Sequence, residues 1–518
     1  MYICKEKDKG RATGTERQSP DETKPFRGKE TYQPATRTNT PTEKYIIYHP
    51  IMNKKIIALS LLISMSGIAT AQKKAGGISS EMLRKIQQTQ VKNTQGKAIA
   101  NALAANNIDD LAKNKDNAGA IDTYFSVETP KQSIHDQKSS GRCWMFTGFN
   151  VLRSNFAQRT DSLNVEYSHA YLFFWDQLEK ANLMLQGVID NANKPFDDKI
   201  VQFFFKNPIN DGGTFCGVSD LADKYGLVPM SVQPETYSSD NTRIMARLVS
   251  SKLREFGLEL RNRANSKTKP AAVQARKEEM LATIYNILCL TLGEPVREFT
   301  YAFKDKDGKA ITPARRYTPQ SFFKETVGGP ISGTFIMVMN DPRRPYYKTY
   351  EVEYNRHTYD GQNWKYLNLP MEEIAKLAIT SLKAGHKLYS SYDVGVQLDR
   401  KRGYNDLNNF DYGSIFNTTF PMNKAQRIMT FDSGSTHAMT LTAVDLDENG
   451  NPKKWKVENS WGGSWGQNGC LIMTNEWFNE YMFRLVVDKQ FVPANILEMA
   501  DQKPTMVMPD DPLFTDDM

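Results

Sequence analysis

At 518 residues, 40% of them hydrophobic, the chain has enough apolar material for a large packed core, which excludes a wholly disordered protein. Its net charge of +7 is unevenly placed: residues 1–71 hold 12 Lys and Arg against 7 Asp and Glu, leaving 54 against 52 for the remainder. A nearly neutral body excludes a general nucleic-acid footprint. The five cysteines (Cys4, Cys143, Cys216, Cys289, Cys470) include no C-x-x-C pair, so a structural zinc site is not expected.

Residues 1–51 are rich in Thr, Pro, Lys and Arg with no hydrophobic periodicity, and read as a disordered leader upstream of the true start at Met52. Residues 52–71 carry two lysines, an apolar run of about a dozen residues and the small-residue site Ala69-Thr70-Ala71. That is a cleavable signal peptide, which predicts export to the periplasm or beyond and no stable membrane span after cleavage. Residues 72–120 spread Leu83, Ile86, Val91, Ile99, Leu103 and Ile108 through polar sequence, predicting a helical N-terminal arm packed on the main body.

The main domain is expected over 121–500. A strand-like segment, "YFSVETPKQSIHDQ", runs into the turn "QKSSGRCW", and Met145, Phe149, Leu152 and Phe156 then mark one face of a buried helix beginning at Cys143. Helices are expected from about 165 to 290, broken at "NDGGTFCG" and "KYGLVPMSVQPETYS", with a mixed segment after them, and a helical insertion is placed at about 195–380. The run "PMEEIAKLAITSLKAG" has Pro370 at its start and Gly385 at its end, as a helix should. From about 386, "HKLYSSYD", "THAMTLTAVDLD", "KKWKVENSW" and "CLIMTNEW" alternate between turns, predicting an antiparallel sheet. Helices first and strands later give an α+β fold. Residues 501–518 form a C-terminal arm.

Four residues in this layout fit one kind of chemistry. Cys143 at a helix N-terminus has a dipole and unpaired N–H groups to stabilise its thiolate. His437 begins one strand and Asn459 ends the next, across a hairpin at "DLDENGNPKKW" that makes them neighbours. Gln137, six residues before the cysteine, can fold back beside it as an amide donor. Nucleophile, base, orienter of the base and oxyanion donor are thus all available.

The order Gln, Cys, His, Asn within "QKSSGRCW", "THAMTLTAVD" and "VENSWG" resembles the papain-like cysteine peptidases, in particular the bleomycin hydrolase and bacterial aminopeptidase C branch. "YLFFWDQLEKAN", "NDGG", "KYGLVP", "YDVG" and "MTNEWF" are similar to that branch and extend the resemblance over about residues 80–500. It implies a papain-like fold with a large helical insertion, Cys143 as nucleophile, His437 as its acid/base partner, Asn459 as orienter of the imidazole and Gln137 as oxyanion donor. Trp461 is expected to shield the His–Asn hydrogen bond from water. The implied activity is removal of N-terminal residues from peptides with a free amine, by acyl transfer, with no metal or organic cofactor.

The resemblance also implies a homohexamer, and a C-terminal arm whose terminal carboxylate, here on Met518, anchors the substrate amine. The tail "MPDDPLFTDDM" adds acidic residues to the family pattern, so Asp510, Asp511, Asp516 and Asp517 are either a trap for a cationic N-terminus or a solvated end. An endopeptidase of the same mechanism and a non-catalytic peptide-binding scaffold are the rival readings. Where the branch often has "DGGQW" this chain has "DGGTFCG", and Cys216 is expected to be structural rather than a second thiol near the cleft. "DLDENG" has Lys456 where a calcium loop needs Glu, and "GGSWGQNG" lacks the context of a phosphate cradle; both are expected to be turns.

Overall fold

The computed structural model describes residues 76–514, apart from 91, 161–162 and 306–307. The leader, the signal segment and Met518 lie outside the described residues. Two compact units are present, divided between residues 105 and 106. The first contains helices Ser80–Gln88 and Thr94–Ala105. The boundary falls earlier than the expected arm end at 120, because Asn114 donates its N–H to Asn409 and the Asp411 N–H returns to Ala112, tying this stretch into the main unit.

Among the described residues the main unit has fourteen strands: β1 Val127–Glu128, β2 Phe299–Tyr301, β3 Arg315–Tyr317, β4 Phe335–Met339, β5 Lys348–Val352, β6 Lys365–Asn368, β7 Leu388–Tyr392, β8 Leu398–Asp399, β9 Tyr404–Asn405, β10 His437–Leu446, β11 Pro452–Glu458, β12 Cys470–Thr474, β13 Met482–Asp488 and β14 Thr505–Val507. β2 and β3 form a separate hairpin. The others build one twelve-stranded sheet in the order β14-β5-β6-β4-β13-β7-β10-β11-β12-β9-β8, with β1 added beside β10. It is mostly antiparallel, with parallel pairing of β4 to β6, β12 to β9 and β14 to β5. The four late strands expected from alternation are β7, β10, β11 and β12.

The insertion differs from its expected character. Its first helices, including Lys199–Lys206, Phe215–Tyr225, Arg243–Ala264 and Pro270–Leu292, end at residue 292, and residues 299–368 then mix the helix Pro319–Val327 with strands, three of them in the main sheet. β4 and β13 sit side by side near its centre, and "FIMVM" and "MFRLVVD" are largely buried on both faces, so they carry no alternation.

One core cluster packs the helical half against the sheet, and a second fills the space between the sheet and helices Met371–Lys383 and Asn475–Tyr481. The Cys143–Arg159 helix packs on β10 and β7 as well as on helices Phe215–Tyr225 and Pro319–Val327. Met145, Phe149, Leu152 and Phe156 are all buried as predicted, but so are their neighbours on most other sides. A helix enclosed in this way holds its first residue in a rigid frame.

Candidate active site

Arg142 is the N-cap of the central helix and gives it no side-chain cap, so the first turn at Cys143 keeps the electropositive end that favours a thiolate. The turn before it is held from several sides. Gly141 donates its N–H to Asp211 at 2.6 Å, and a Cβ on Gly141 would stand 2.5 Å from the same carboxylate, so only glycine fits. Trp144 donates its indole N–H to the Asp211 carbonyl. Fully buried Arg142 donates to Ser140 Oγ and Glu235.

The "NDGG" loop that supplies Asp211 is seated on a buried histidine. His357 Nδ1 lies 2.5 Å from Asp176, which also pairs with Lys180, and His357 Nε2 accepts the Thr214 N–H. A Cβ on Gly213 or Gly217 would collide with that imidazole at 2.2 and 2.5 Å. The two glycines therefore let the loop close over the ring.

Gln137 is buried, and its amide is gripped at both ends. Nε2 donates to the Ser140 carbonyl at 2.5 Å, and Oε1 accepts from Ser460 Oγ at 2.5 Å. The Gln137 N–H donates to the Ser460 carbonyl, the Gly462 N–H to the His135 carbonyl, and Asp136 bridges Trp461. The loop leading to Cys143 thus lies antiparallel to residues 459–462.

His437, the first residue of β10, is buried, and its Nε2 is 2.8 Å from Asn459 Oδ1. The Ser460 N–H also donates to Oδ1, which fixes the amide with its oxygen toward the imidazole. Nε2 therefore carries the proton and Nδ1 is the basic nitrogen. Burial pushes the His437 pKa down to about 4, with the Asn459 hydrogen bond opposing that shift. The Trp461 ring lies 5.0 Å from the imidazole, tilted by 30°.

The structure thus joins His437, Asn459 and Trp461 by direct contacts, links Gln137 to the Asn459 segment through Ser460, and holds Cys143 at the end of the loop that carries Gln137. Asp211, Ser460 and Arg142 escaped the sequence reading as parts of the site. "NDGG" was visible as a motif, but its contact with Gly141 spans 70 residues.

Cys216 is buried in the core, its Sγ 3.4 Å from Met337 Sδ, and burial pushes its thiol pKa up. It is no cleft thiol. None of the four described cysteines is in a disulfide. The expected calcium decoy is the β10–β11 turn, in which Asp447 accepts the Asn449 and Asn451 N–H groups. "GGSWGQNG" is likewise a turn, with Gly462, Gly466, Asn468 and Gly469 at positive φ.

The acidic tail divides at its described positions. Asp510 is exposed and pairs with exposed Lys199, whereas Asp511 is held by Arg343 and Arg344 at 2.7 Å each. Asp511 is therefore not left over as a trap for a cationic amine. Beyond them Leu513 and Phe514 are buried, Phe514 against Tyr366 and under Arg484.

A model of the Peptidase C1-like family matches residues 77–514. Aminopeptidase C of Streptococcus thermophilus is 36% identical over 438 residues, 84% of this chain and 98% of that protein. Bleomycin hydrolase of Homo sapiens is 34% identical over 450 residues, 85% of this chain and 98% of that protein. The crystal structure of PepW from Lactobacillus rhamnosis HN001 matches with a TM-score of 0.80 at 36% identity, covering 85% of this chain and 99% of that one. The chain belongs to the Peptidase C1-like family: it is a cysteine peptidase of papain-like fold, in the branch of aminopeptidase C and bleomycin hydrolase.

Proposed function

We propose that the protein is a thiol aminopeptidase in which Cys143 attacks the carbonyl of the first peptide bond of a substrate with a free N-terminus. His437 Nδ1 takes the thiol proton and returns it to the leaving amine, and water then hydrolyses the Cys143 thioester. Asn459 keeps the imidazole in the tautomer that leaves Nδ1 basic, and Trp461 keeps water from competing for that hydrogen bond. The second N–H of Gln137 Nε2 and the helix N-terminus stabilise the oxyanion.

The observation that carries this reading is the 2.8 Å His437–Asn459 hydrogen bond, with its amide orientation fixed by Ser460 and Trp461 beside it. A scaffold that only bound peptides has no use for a tautomer-locked imidazole and a helix-start thiol in one fold.

The relatives named aminopeptidase C favour exo- over endo-activity. The resemblance set out from the sequence adds the Met518 carboxylate as anchor of the substrate amine, and the Asp511 clamp holds the arm on the main unit. We extend the proposal to a homohexamer and to export directed by residues 52–71, both on the grounds set out from the sequence. Light scattering tests the first, and fractionation of cells expressing the full chain tests the second.

The functional test is hydrolysis of an amino-acid arylamide and of its N-acetylated twin, under reductant, by the protein and by Cys143→Ala. Cleavage of the free-amine substrate alone, abolished in the variant, is expected. Cleavage of both substrates shifts the reading to an endopeptidase, and no Cys143-dependent cleavage of a broad peptide panel leaves the scaffold.

A further inference from the structure

Arg153 lies ten residues beyond Cys143 on the central helix and is buried. A buried guanidinium needs a reason, because desolvating a charge costs more than packing an apolar side chain of similar size. Its contacts supply one. Nε donates to Asn150 Oδ1 at 3.1 Å, Nη1 to Ser133 Oγ at 2.6 Å and to both Glu166 oxygens, and Nη2 to the Ser133 carbonyl at 2.5 Å and to Glu458 Oε1 at 2.9 Å.

Each contact leads to a different segment of the candidate site. Ser133 is four residues before Gln137, and Glu166 reaches the same loop again through His135 at 2.8 Å. Glu458 immediately precedes Asn459 on β11, and its other oxygen is held by buried Lys387, which leads into β7. Asn150, in turn, donates Nδ2 to Thr440 Oγ1 at 3.0 Å, three residues past His437 on β10. Two cations, Arg153 and Lys387, face two carboxylates, Glu166 and Glu458, so the cluster is balanced in charge.

We propose that Arg153 is a positioning residue for the peptidase site: its planar fork sets the register between the helix carrying Cys143, the loop carrying Gln137 and the strands carrying His437 and Asn459. The inference rests on the roles proposed above for those four residues. The fork geometry is what lysine cannot supply, since an ammonium gives charge without five donors in fixed directions. A shift of about 1 Å between reacting groups costs on the order of 10²-fold in rate, so a small loss of register is visible in turnover before it is visible in fold.

The test uses Arg153→Lys and Arg153→Met in the full chain, assayed well below the Tm of each variant. Two readouts are taken: kcat and KM on a free-amine arylamide, and the pH profile of Cys143 alkylation by iodoacetamide. Both variants should lose about tenfold or more in kcat per folded chain with little change in KM. Their alkylation should need a higher pH, because an imidazole out of register no longer stabilises the thiolate.

A lowered Tm with wild-type kcat and alkylation profile overturns the proposal and leaves a purely stabilising network. Restoration of both readouts by lysine also overturns it, because charge would then suffice. If the Arg153 variants do not fold, Thr440→Val breaks only the link to β10; a several-fold fall in kcat supports the proposal, and an unchanged kcat overturns it. Failure of the aminopeptidase reading is distinguishable, since wild-type protein would then cleave nothing while its alkylation profile remained measurable.

Discussion

His437 is the base of the proposed mechanism, and its environment makes a signed prediction. Burial holds its pKa near 4, against about 6.5 in an unfolded chain. Between those values the unfolded state binds a proton that the folded state does not, so stability contributed by the neutral ring is present above about pH 6.5 and is lost as pH falls toward 4. The shift corresponds to about 3 kcal/mol. In Cys143→Ala, where no thiolate can form, NMR of the imidazole should show it neutral down to about pH 4. In the wild-type chain a Cys143 thiolate raises the pKa, and the gap between the two proteins measures the ion pair. Equal titration of His437 in both would mean that the thiol and imidazole do not pair. Cys143, His437, Asn459 and Gln137 were legible because each sits at the end of a recognisable element or turn. Arg153, Asp211 and Ser460 were not, because each reaches the site through a partner distant in sequence: Glu458 305 residues from Arg153, Gly141 70 from Asp211 and Gln137 323 from Ser460.

Among the elements, the short helix Lys424–Met429 lies in the excursion that precedes β10, and a single buried lysine fastens it. Asn423 and Gln426 cap the helix reciprocally, while Lys424 Nζ donates to the Met482 and Asn479 carbonyls at 2.6 and 3.1 Å over the Phe483 ring. Burial brings the Lys424 pKa down to about 7; Glu480 and Asp341 oppose that shift and Arg427 adds to it. From pH 7 to about 10 the unfolded chain holds the proton more tightly, so this group makes stability rise with pH. Lys424→Met should flatten that rise by about 3 kcal/mol between pH 7 and 9.5, read from denaturant unfolding of both proteins at both pH values. Identical pH slopes would show that the lysine is solvated and does not anchor the helix. Nothing in "NKAQRIM" distinguishes this lysine from a surface one. β4 and β13 were hidden differently: "FIMVM" and "LVV" are unbroken apolar runs, whereas β10, buried at nearly every position too, keeps Thr440 and Thr442 between apolar neighbours and so stayed readable.

At the scale of the whole molecule, the tail is a strand of the sheet rather than an appendage. β14 pairs in parallel with β5, and the chain is then clamped where Arg343 and Arg344 divide their donors between Asp511 and fully buried Asp341. Burial works against the Asp511 carboxylate, but the two arginines outweigh it and hold its pKa below the ordinary range. Asp511→Ala removes both arginine pairs. It should expose the chain after residue 500 to limited proteolysis and lower the Tm, because Val507, Leu513 and Phe514 belong to the core cluster that packs the helical half against the sheet. If the positioned tail is what demands a free amine, the same variant should lose at least about tenfold in its preference for the arylamide over the N-acetylated twin, roughly the 1.4 kcal/mol that one weakened charge-assisted contact supplies. A tail that becomes protease-sensitive while that preference stays intact would remove the arm from the specificity mechanism and assign the selection of free amines to the cleft itself.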